Sequence, residues 1–376
     1  CGLTNLILEL KRLYFIDAIR AFAILMMLQG HFIDTLLAIE YRDANNLAFS
    51  TWTYFRGITA PVFFTISGLI FTYLLIRAKE KGTLHYRLKK GIIRGLMLIG
   101  IGYALRIPVF RWLTGSFGTY FMVIDVLQII GLSLILIVCV YTICQKKTLL
   151  FSVTMLCLGT IIFLNEPLYR SFGAEGIPLL FANYFTKVNG SVFTILPWFG
   201  YMAYGAFIAT LFYGYLLRPR FKIAIVTGFF FVGLGLIYVS STFLHWLTTV
   251  TDVTLFFEVA NYNYLCIRLG NVLVLFGLFY ALETYLKHPV ILKIGQKTLS
   301  IYVVHFILLY GSFTGWGLKR IFGKNLSPME VILGAICFLV VVSLISIYII
   351  KANTQVYGFF RQKAYVLKTL IKSLNN

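Results

Sequence analysis

The chain has 376 residues, of which 60% are hydrophobic and 12% are charged, and its mean hydropathy is +0.87. A soluble domain carries roughly 25% charged residues, so this composition excludes a soluble enzyme and indicates a polytopic membrane protein. The 33 Lys and Arg residues outnumber the 13 Asp and Glu residues, but they lie in short runs between apolar segments, so we expect no nucleic-acid partner.

Ten apolar segments of roughly 20 residues predict membrane-spanning helices. They lie at about 18–39, 57–77, 91–110, 120–144, 148–164, 193–216, 222–244, 263–286, 298–317 and 329–350. The fold class that follows is an all-α, polytopic helix bundle. We expect its transmembrane domain to cover 18–350, after an N-terminal segment at 1–17.

The loops between these segments alternate in charge. One set is basic, with cations such as Lys79, Lys146 and Arg218, whereas the other set is rich in Trp, Tyr, Phe, Gly and Asn. Because basic loops stay on the cytoplasmic side, both termini should be cytoplasmic and the protein should lie in the cytoplasmic (inner) membrane as a multi-pass protein. The tail at 351–376 has apolar residues at helical spacing with Lys and Arg between them, which predicts an amphipathic helix on the inner leaflet and contact with membrane lipids.

The six cysteines do not form a CxxC pair, and five of them lie inside apolar segments. They predict neither a disulfide framework nor a zinc site, and we expect no bound metal. Cys1 could be a lipid-modified mature N-terminus, although a trimmed chain explains it more simply.

The first apolar segment, "DAIRAFAILMMLQGHFID", carries four ionisable residues. At about 100° per residue, Asp17, Arg20, His31 and Asp34 fall within one helical stripe about 100° wide. His31 lies about 21 Å beyond Asp17 along the axis. Ionisable groups at membrane depth are costly and mark functional sites, so we expect the stripe to face a shared cavity. The structural alternative is an Asp17–Arg20 ion pair with a packing histidine.

Further residues in or near the apolar segments have a structural interpretation, and some of them also have a functional one. Asp125 and Gln128 lie together at one end of the fourth segment, where they suit either a helix N-terminus or an acceptor site. Pro61 predicts a first helical turn, and Gly68 and Gly205 predict close helix packing. The remaining polar residues in or near apolar segments, each with both interpretations open, are Arg94, Trp198, Arg268, Ser300 and His305.

The segment "RLYFIDAIRAFAILMMLQGHFID" resembles the opening of the membrane acyltransferases of the heparan-α-glucosaminide N-acetyltransferase type. That opening is an Arg, then Asp-x-x-Arg-Gly, a methionine-rich span and a His, here Arg12, Asp17, Arg20 and His31, with Ala21 in place of the glycine. Later blocks are similar and follow in the same order: "YFRGITAPVFFTISGLIF", "DVLQIIGLSLIL", "LPWFGYMAYGAFIA" and "IGQKTLSIYVVH". The resemblance covers most of 12–310 and is strongest over 12–77. A broader superfamily that modifies envelope sugars shares the Arg-to-His pattern.

This resemblance implies transfer of an acetyl or acyl group from cytoplasmic acetyl-CoA, or a related acyl-CoA, to a sugar hydroxyl or amine on the far side of the membrane. It implies His31 as the general base, with Asp34 stabilising the imidazolium; an acyl-histidine intermediate is the variant route. The residues it suggests for the acyl-CoA site are Asp17, Arg20, Lys90, Arg94, Ser300 and His305. Those it suggests for a glycan or other envelope acceptor are Asp125, Gln128, Trp198 and Arg268.

Two other classes of protein fit the same residues. A transporter or flippase would use His31 and Arg268 as a proton or anion relay, and a scaffold or sensor would use neither. No inverted repeat of the kind common in transporters is visible. The sequence is compatible with a homodimer but does not specify one.

Overall fold

The computed structural model describes residues 13–349 together with 358, 362 and 363. Within that part the chain is all α-helical, and its only β-type contact is an isolated bridge between Leu37 and Leu326. This confirms the predicted fold class. The predicted cytoplasmic segment up to residue 12, almost all of the predicted amphipathic tail, and Cys1 lie outside the described residues.

Seventeen α-helices are described, and we number them in chain order. They are α1 (Tyr14–Leu36), α2 (Leu47–Glu80), α3 (Leu84–Ala104), α4 (Val109–Leu113), α5 (Val126–Ile143), α6 (Thr148–Leu164), α7 (Glu166–Arg170), α8 (Leu179–Ala182), α9 (Ile195–Tyr215), α10 (Phe221–Tyr238), α11 (Ser240–Thr251), α12 (Thr254–Asn261), α13 (Tyr264–Ala281), α14 (Pro289–Gln296), α15 (Thr298–Tyr310), α16 (Leu318–Phe322) and α17 (Pro328–Leu344). A π-helical turn, Ile345–Ile349, follows α17.

Every predicted span coincides with a helix, although not all of these helices are both long and apolar. Among the described residues, seven helices are long and apolar enough to cross a membrane: α1, α2, α5 with the turn before it, α9, α10, α13 and α17. An eighth span is possible if α14 and α15, which meet at 70°, count as one. The two predicted spans that fall short are α3, whose first half is strongly basic, and α6, which has only 17 residues.

Helix α2 has 34 residues and is longer than the predicted span of 57–77. Most of the extra length is at its N-terminal end, which continues into the region predicted to be a polar loop. Asn46 caps it by accepting hydrogen bonds from the backbone N–H groups of Ala48 and Phe49. The prediction that Pro61 occupies a first turn was therefore wrong, since this proline lies well inside the helix. Its carbonyl accepts a hydrogen bond from the Thr65 hydroxyl at 2.8 Å.

The centre of the bundle is built from α2, α5 and α9, which are largely buried, while α10 and α17 are mostly exposed at its edge. The prediction of small-residue packing is confirmed where α2 crosses α9. A Cβ atom at Gly205 would collide with the carbonyl of Thr65, and one at Gly68 would collide with the carbonyl of Met202. The backbones of these two helices thus touch, which fixes the wall of the cavity described next.

Candidate functional site

A cavity of about 390 Å³ runs along α1 and is closed by residues of α2, α3, α5, α9 and α15. Five residues of α1 line the cavity: Arg20, Met26, Met27, Gly30 and His31. Arg20 and His31 belong to the stripe predicted from the helical angles, whereas Asp17 and Asp34, the other two ionisable residues of that stripe, do not line the cavity. About 16 Å of helix axis separates Arg20 from His31.

Three arginines line the cavity near the N-terminal end of α1. They are Arg20 together with Arg87 and Arg94 of α3. The Arg20 guanidinium donates a hydrogen bond of 2.8 Å to the Thr298 hydroxyl and lies 3.8 Å from the Asp17 carboxylate. Among the described residues Asp17 is the one carboxylate that pairs with Arg20, so this end of the cavity is suited to an anionic group such as a phosphate.

Arg87 was not predicted, although Lys90 was. Arg94 lies seven positions after Arg87, which is about two helical turns, so the two arginines share one face of α3. This spacing could have indicated from the sequence that Arg87 accompanies Arg94. Lys90 is exposed, lies over the Tyr86 ring with its ammonium 5.8 Å from the centroid, and does not line the cavity.

His31 lines the other end of the cavity and is half-buried. Its Nδ1 atom lies 2.9 Å from the phenolic oxygen of Tyr310, the last residue of α15. The Thr35 hydroxyl donates to the same oxygen at 3.4 Å. Since Nδ1 is engaged by Tyr310, Nε2 is the ring nitrogen left for a ligand. Tyr310 was missed by the sequence analysis, because nothing in the chain near residue 310 points to residue 31.

His305 packs against His31 with their ring planes perpendicular and their centroids 5.3 Å apart. It is fully buried and packs edge-on against the Tyr302 and Phe306 rings, and neither of its ring nitrogens makes a hydrogen bond of normal length and angle with another described residue. It lies behind His31 and does not line the cavity. The sequence analysis had expected His305 at the acyl-CoA site, which is the arginine end of the cavity. The structure instead places His305 beside the predicted base.

The carboxylate of Asp34 is paired with two arginines. It binds Arg56 of α2 at 2.5 Å and Arg42 at 3.5 Å, and the Asp34 side chain is 45% exposed. Arg42 is also held by the backbone carbonyls of Asp34 and Leu37, at 2.7 and 2.9 Å. Arg56, which the sequence analysis did not single out, lines the cavity near His31.

Asp125 caps α5, which confirms its predicted structural role, and it also lines the cavity, where an acceptor would have to bind. Its carboxylate accepts a hydrogen bond of 2.6 Å from Arg106, and both residues are buried. The Arg106 guanidinium in turn lies over the Tyr120 ring at 5.1 Å. Gln128 completes the capping box by accepting from the Asp125 backbone N–H, but it is fully buried and does not reach the cavity.

Trp198 of α9 lines the cavity and packs against Phe64 and Phe193, with ring centroids 5.0 and 4.8 Å away. Its indole N–H has no hydrogen-bond acceptor within the described part of the protein. Trp198 therefore offers an aromatic surface, and not its buried N–H, to a ligand in the cavity.

Two other predicted residues lie outside the cavity. Ser300 is fully buried and does not line the cavity. The residue of α15 that brings a hydroxyl to the cavity is Thr298, two positions earlier. Arg268 donates to the Tyr54 carbonyl at 2.8 Å and packs against Gly57, which ties α13 to α2. The two groups of the relay alternative, His31 and Arg268, are thus not joined by this cavity.

The described residues contain no group of three or more His, Cys, Asp or Glu side chains that could hold a metal ion. The polar groups that converge are arginines, hydroxyls, one histidine and one carboxylate. Together, the fold and the cavity define a multi-pass helical membrane protein with an ionisable internal site.

Residues 12–248 match the family model described as "Heparan-alpha-glucosaminide N-acetyltransferase, catalytic". The match covers more than half of the chain, so the protein belongs to this family and is a transmembrane acetyltransferase in its general class. The resemblance seen in the sequence is thereby confirmed. No curated protein matches the chain significantly.

Proposed function

We propose that the protein moves an acetyl or acyl group from a cytoplasmic acyl-CoA to a sugar hydroxyl or amine on the other side of the membrane. The observation that carries this proposal is the arrangement of one continuous cavity, with Arg20, Arg87 and Arg94 at one end and His31 at the other. The basic loops favour a cytoplasmic location for the arginine end. This separation along α1 supports a reaction whose two substrates approach from opposite sides.

The donor set at the arginine end fits the phosphates of an acyl-CoA. Guanidinium groups bind phosphate through paired N–H donors, and Thr298 holds Arg20 in place. When bound, acyl-CoA supplies the acyl group as an activated thioester. The wall between the two ends is mainly apolar, with Met27, Phe63 and Leu127 among its residues, so water would be largely displaced from the middle of the cavity.

His31 is the proposed base. Its Nε2 atom takes the proton from the acceptor hydroxyl or amine as that group becomes the nucleophile, and only the neutral imidazole can do so. Trp198 and Arg56 line the cavity and supply an aromatic face and a donor for the acceptor. Asp34 acts through Arg56, which it holds at 2.5 Å.

The test is to purify the protein in a membrane mimetic and measure its thermal unfolding with acetyl-CoA, with desulfo-CoA and with no ligand. Acetyl-CoA should raise the unfolding temperature, because a ligand that binds only the folded state stabilises it. Thiol release should then require a glycan acceptor with an unblocked hydroxyl or amine. The absence of both stabilisation and thiol release would contradict the proposal.

A further inference from the structure

Helix α15 contacts α1 at both ends of the cavity. Its first residue, Thr298, accepts a hydrogen bond from Arg20, and its last residue, Tyr310, bonds Nδ1 of His31. Leu299 and Tyr302, between them, line the cavity wall. Because the family match ends at residue 248, α15 lies outside the matched part of the chain.

The position of Tyr310 is fixed by its surroundings. Its ring packs on Phe306 with the centroids 4.8 Å apart. Gly311 follows with a positive φ of 71° and ends the helix, and a Cβ atom at this glycine would collide with the backbone of Trp316 and Gly317. The chain folds back tightly over the end of α15, so the phenolic oxygen of Tyr310 is held where it meets His31.

The hydrogen bond between these two residues decides which nitrogen of His31 is basic. A phenolic oxygen has two lone pairs, so Tyr310 can accept both from the Thr35 hydroxyl and from a protonated Nδ1 of His31. In that arrangement the Nε2 lone pair is available in the cavity. If Tyr310 instead donated to Nδ1, the ring proton would lie on Nε2 and this nitrogen could not act as a base.

We infer that Tyr310 is a positioning residue for His31, whose Nδ1 proton it accepts, and that α15 is an integral part of the acyl-transfer site. This inference rests on His31 being the base in the proposed function. Tyr310 itself does not line the cavity, so its effect is exerted through the orientation and tautomer of His31.

The test compares Tyr310→Phe with a matched control, Tyr204→Phe. The Tyr204 hydroxyl bonds the Thr160 hydroxyl at 3.1 Å, away from the cavity. Phenylalanine keeps the ring packing at both positions. For Tyr310→Phe we expect kcat to fall by on the order of 10- to 100-fold, because a misplaced reacting group costs this much, while KM for acetyl-CoA stays unchanged. The control should keep the parental kcat. A Tyr310→Phe enzyme with parental kcat would overturn the inference.

A second measurement does not depend on activity or on a Tyr310 variant. The chain has five histidines, so nitrogen NMR of ring-labelled protein in lipid can resolve His31, assigned by its loss in His31→Gln. The parental protein should show a protonated Nδ1 and an unprotonated Nε2 at neutral pH. Protonated Nε2 in the parent would overturn the inference. Absence of acyl transfer in the parent, with the expected NMR signals, would instead count against the proposed function alone.

Discussion

The Nη1 atom of Arg56 lies 2.5 Å from Oδ1 of Asp34, so the second carboxylate of the α1 stripe is bound by α2 and not by the histidine one turn away. Asp34 is 45% exposed and also contacts Arg42, whereas Arg56 lines the cavity. In this arrangement Asp34 orients an arginine near the acceptor end, which predicts a modest effect when it is changed.

Asp34→Asn should therefore lower kcat by less than tenfold, and its effect should appear mainly in KM for the acceptor. A surface-accessible ion pair contributes only about 0–1 kcal/mol, so the unfolding temperature should change little. Steady-state kinetics with varied acceptor concentration measure both parameters. A loss of kcat as large as that of a His31 variant would show that Asp34 serves the imidazolium directly.

The arginine end of the cavity predicts a contrast within α3. Arg87→Ala, like Arg20→Ala, removes a charge-assisted contact to phosphate worth on the order of 1.5–3 kcal/mol, so acetyl-CoA affinity should fall roughly 10- to 100-fold. Lys90→Ala is the matched control, since Lys90 is exposed and does not line the cavity. Calorimetric titration measures the three affinities. Equal losses for Lys90→Ala and Arg87→Ala would contradict the location of the phosphate site.

The buried pair of Asp125 and Arg106 predicts a stability effect. Asp125→Asn leaves the Arg106 guanidinium buried without its counter-charge, and breaking such a pair costs about 3–5 kcal/mol. Asp252→Asn is the control, because Asp252 is exposed and its positive φ of 57° is tolerated by asparagine. Thermal unfolding in detergent compares them. An Asp125→Asn protein as stable as the control would show that the pair adds little.

The loop charges predict the orientation in the membrane. In a variant whose native cysteines are replaced, Leu180→Cys in α8 should react with an impermeant maleimide in intact cells, and His85→Cys in α3 should not. Both positions are accessible enough to be labelled, since Leu180 is 41% exposed and His85 is also exposed. The opposite labelling pattern would reverse the two ends of the cavity.

The fold class and the inward face of α1 could be read from the sequence because both depend on local patterns. Apolar segments of membrane length and a fixed angle per residue are enough to place Arg20 and His31 on one wall. The number of membrane spans was harder to predict from the sequence. Helix α3 is helical without being apolar, and α14 and α15 break at Lys297 with a bend of 70°.

The partners of these residues could not be predicted, because they are set by packing between segments far apart in the chain. His31 and Tyr310 are 279 positions apart, and Arg20 and Thr298 are 278 apart. The choice of Thr298 over Ser300 depends on how α15 is rotated against α1. No periodicity within 298–310 reports that rotation, since apolar residues surround this helix on most sides.

The most direct test of His31 as the catalytic base is the rate of acceptor-dependent thiol release from acetyl-CoA by the His31→Gln protein. Glutamine preserves size and hydrogen bonding but cannot take the proton, so the rate should fall by roughly 100-fold or more while acetyl-CoA still raises the unfolding temperature as in the parent. If the His31→Gln protein turned over at the parental rate, His31 would not be the base, and the proposed mechanism of acyl transfer would be contradicted.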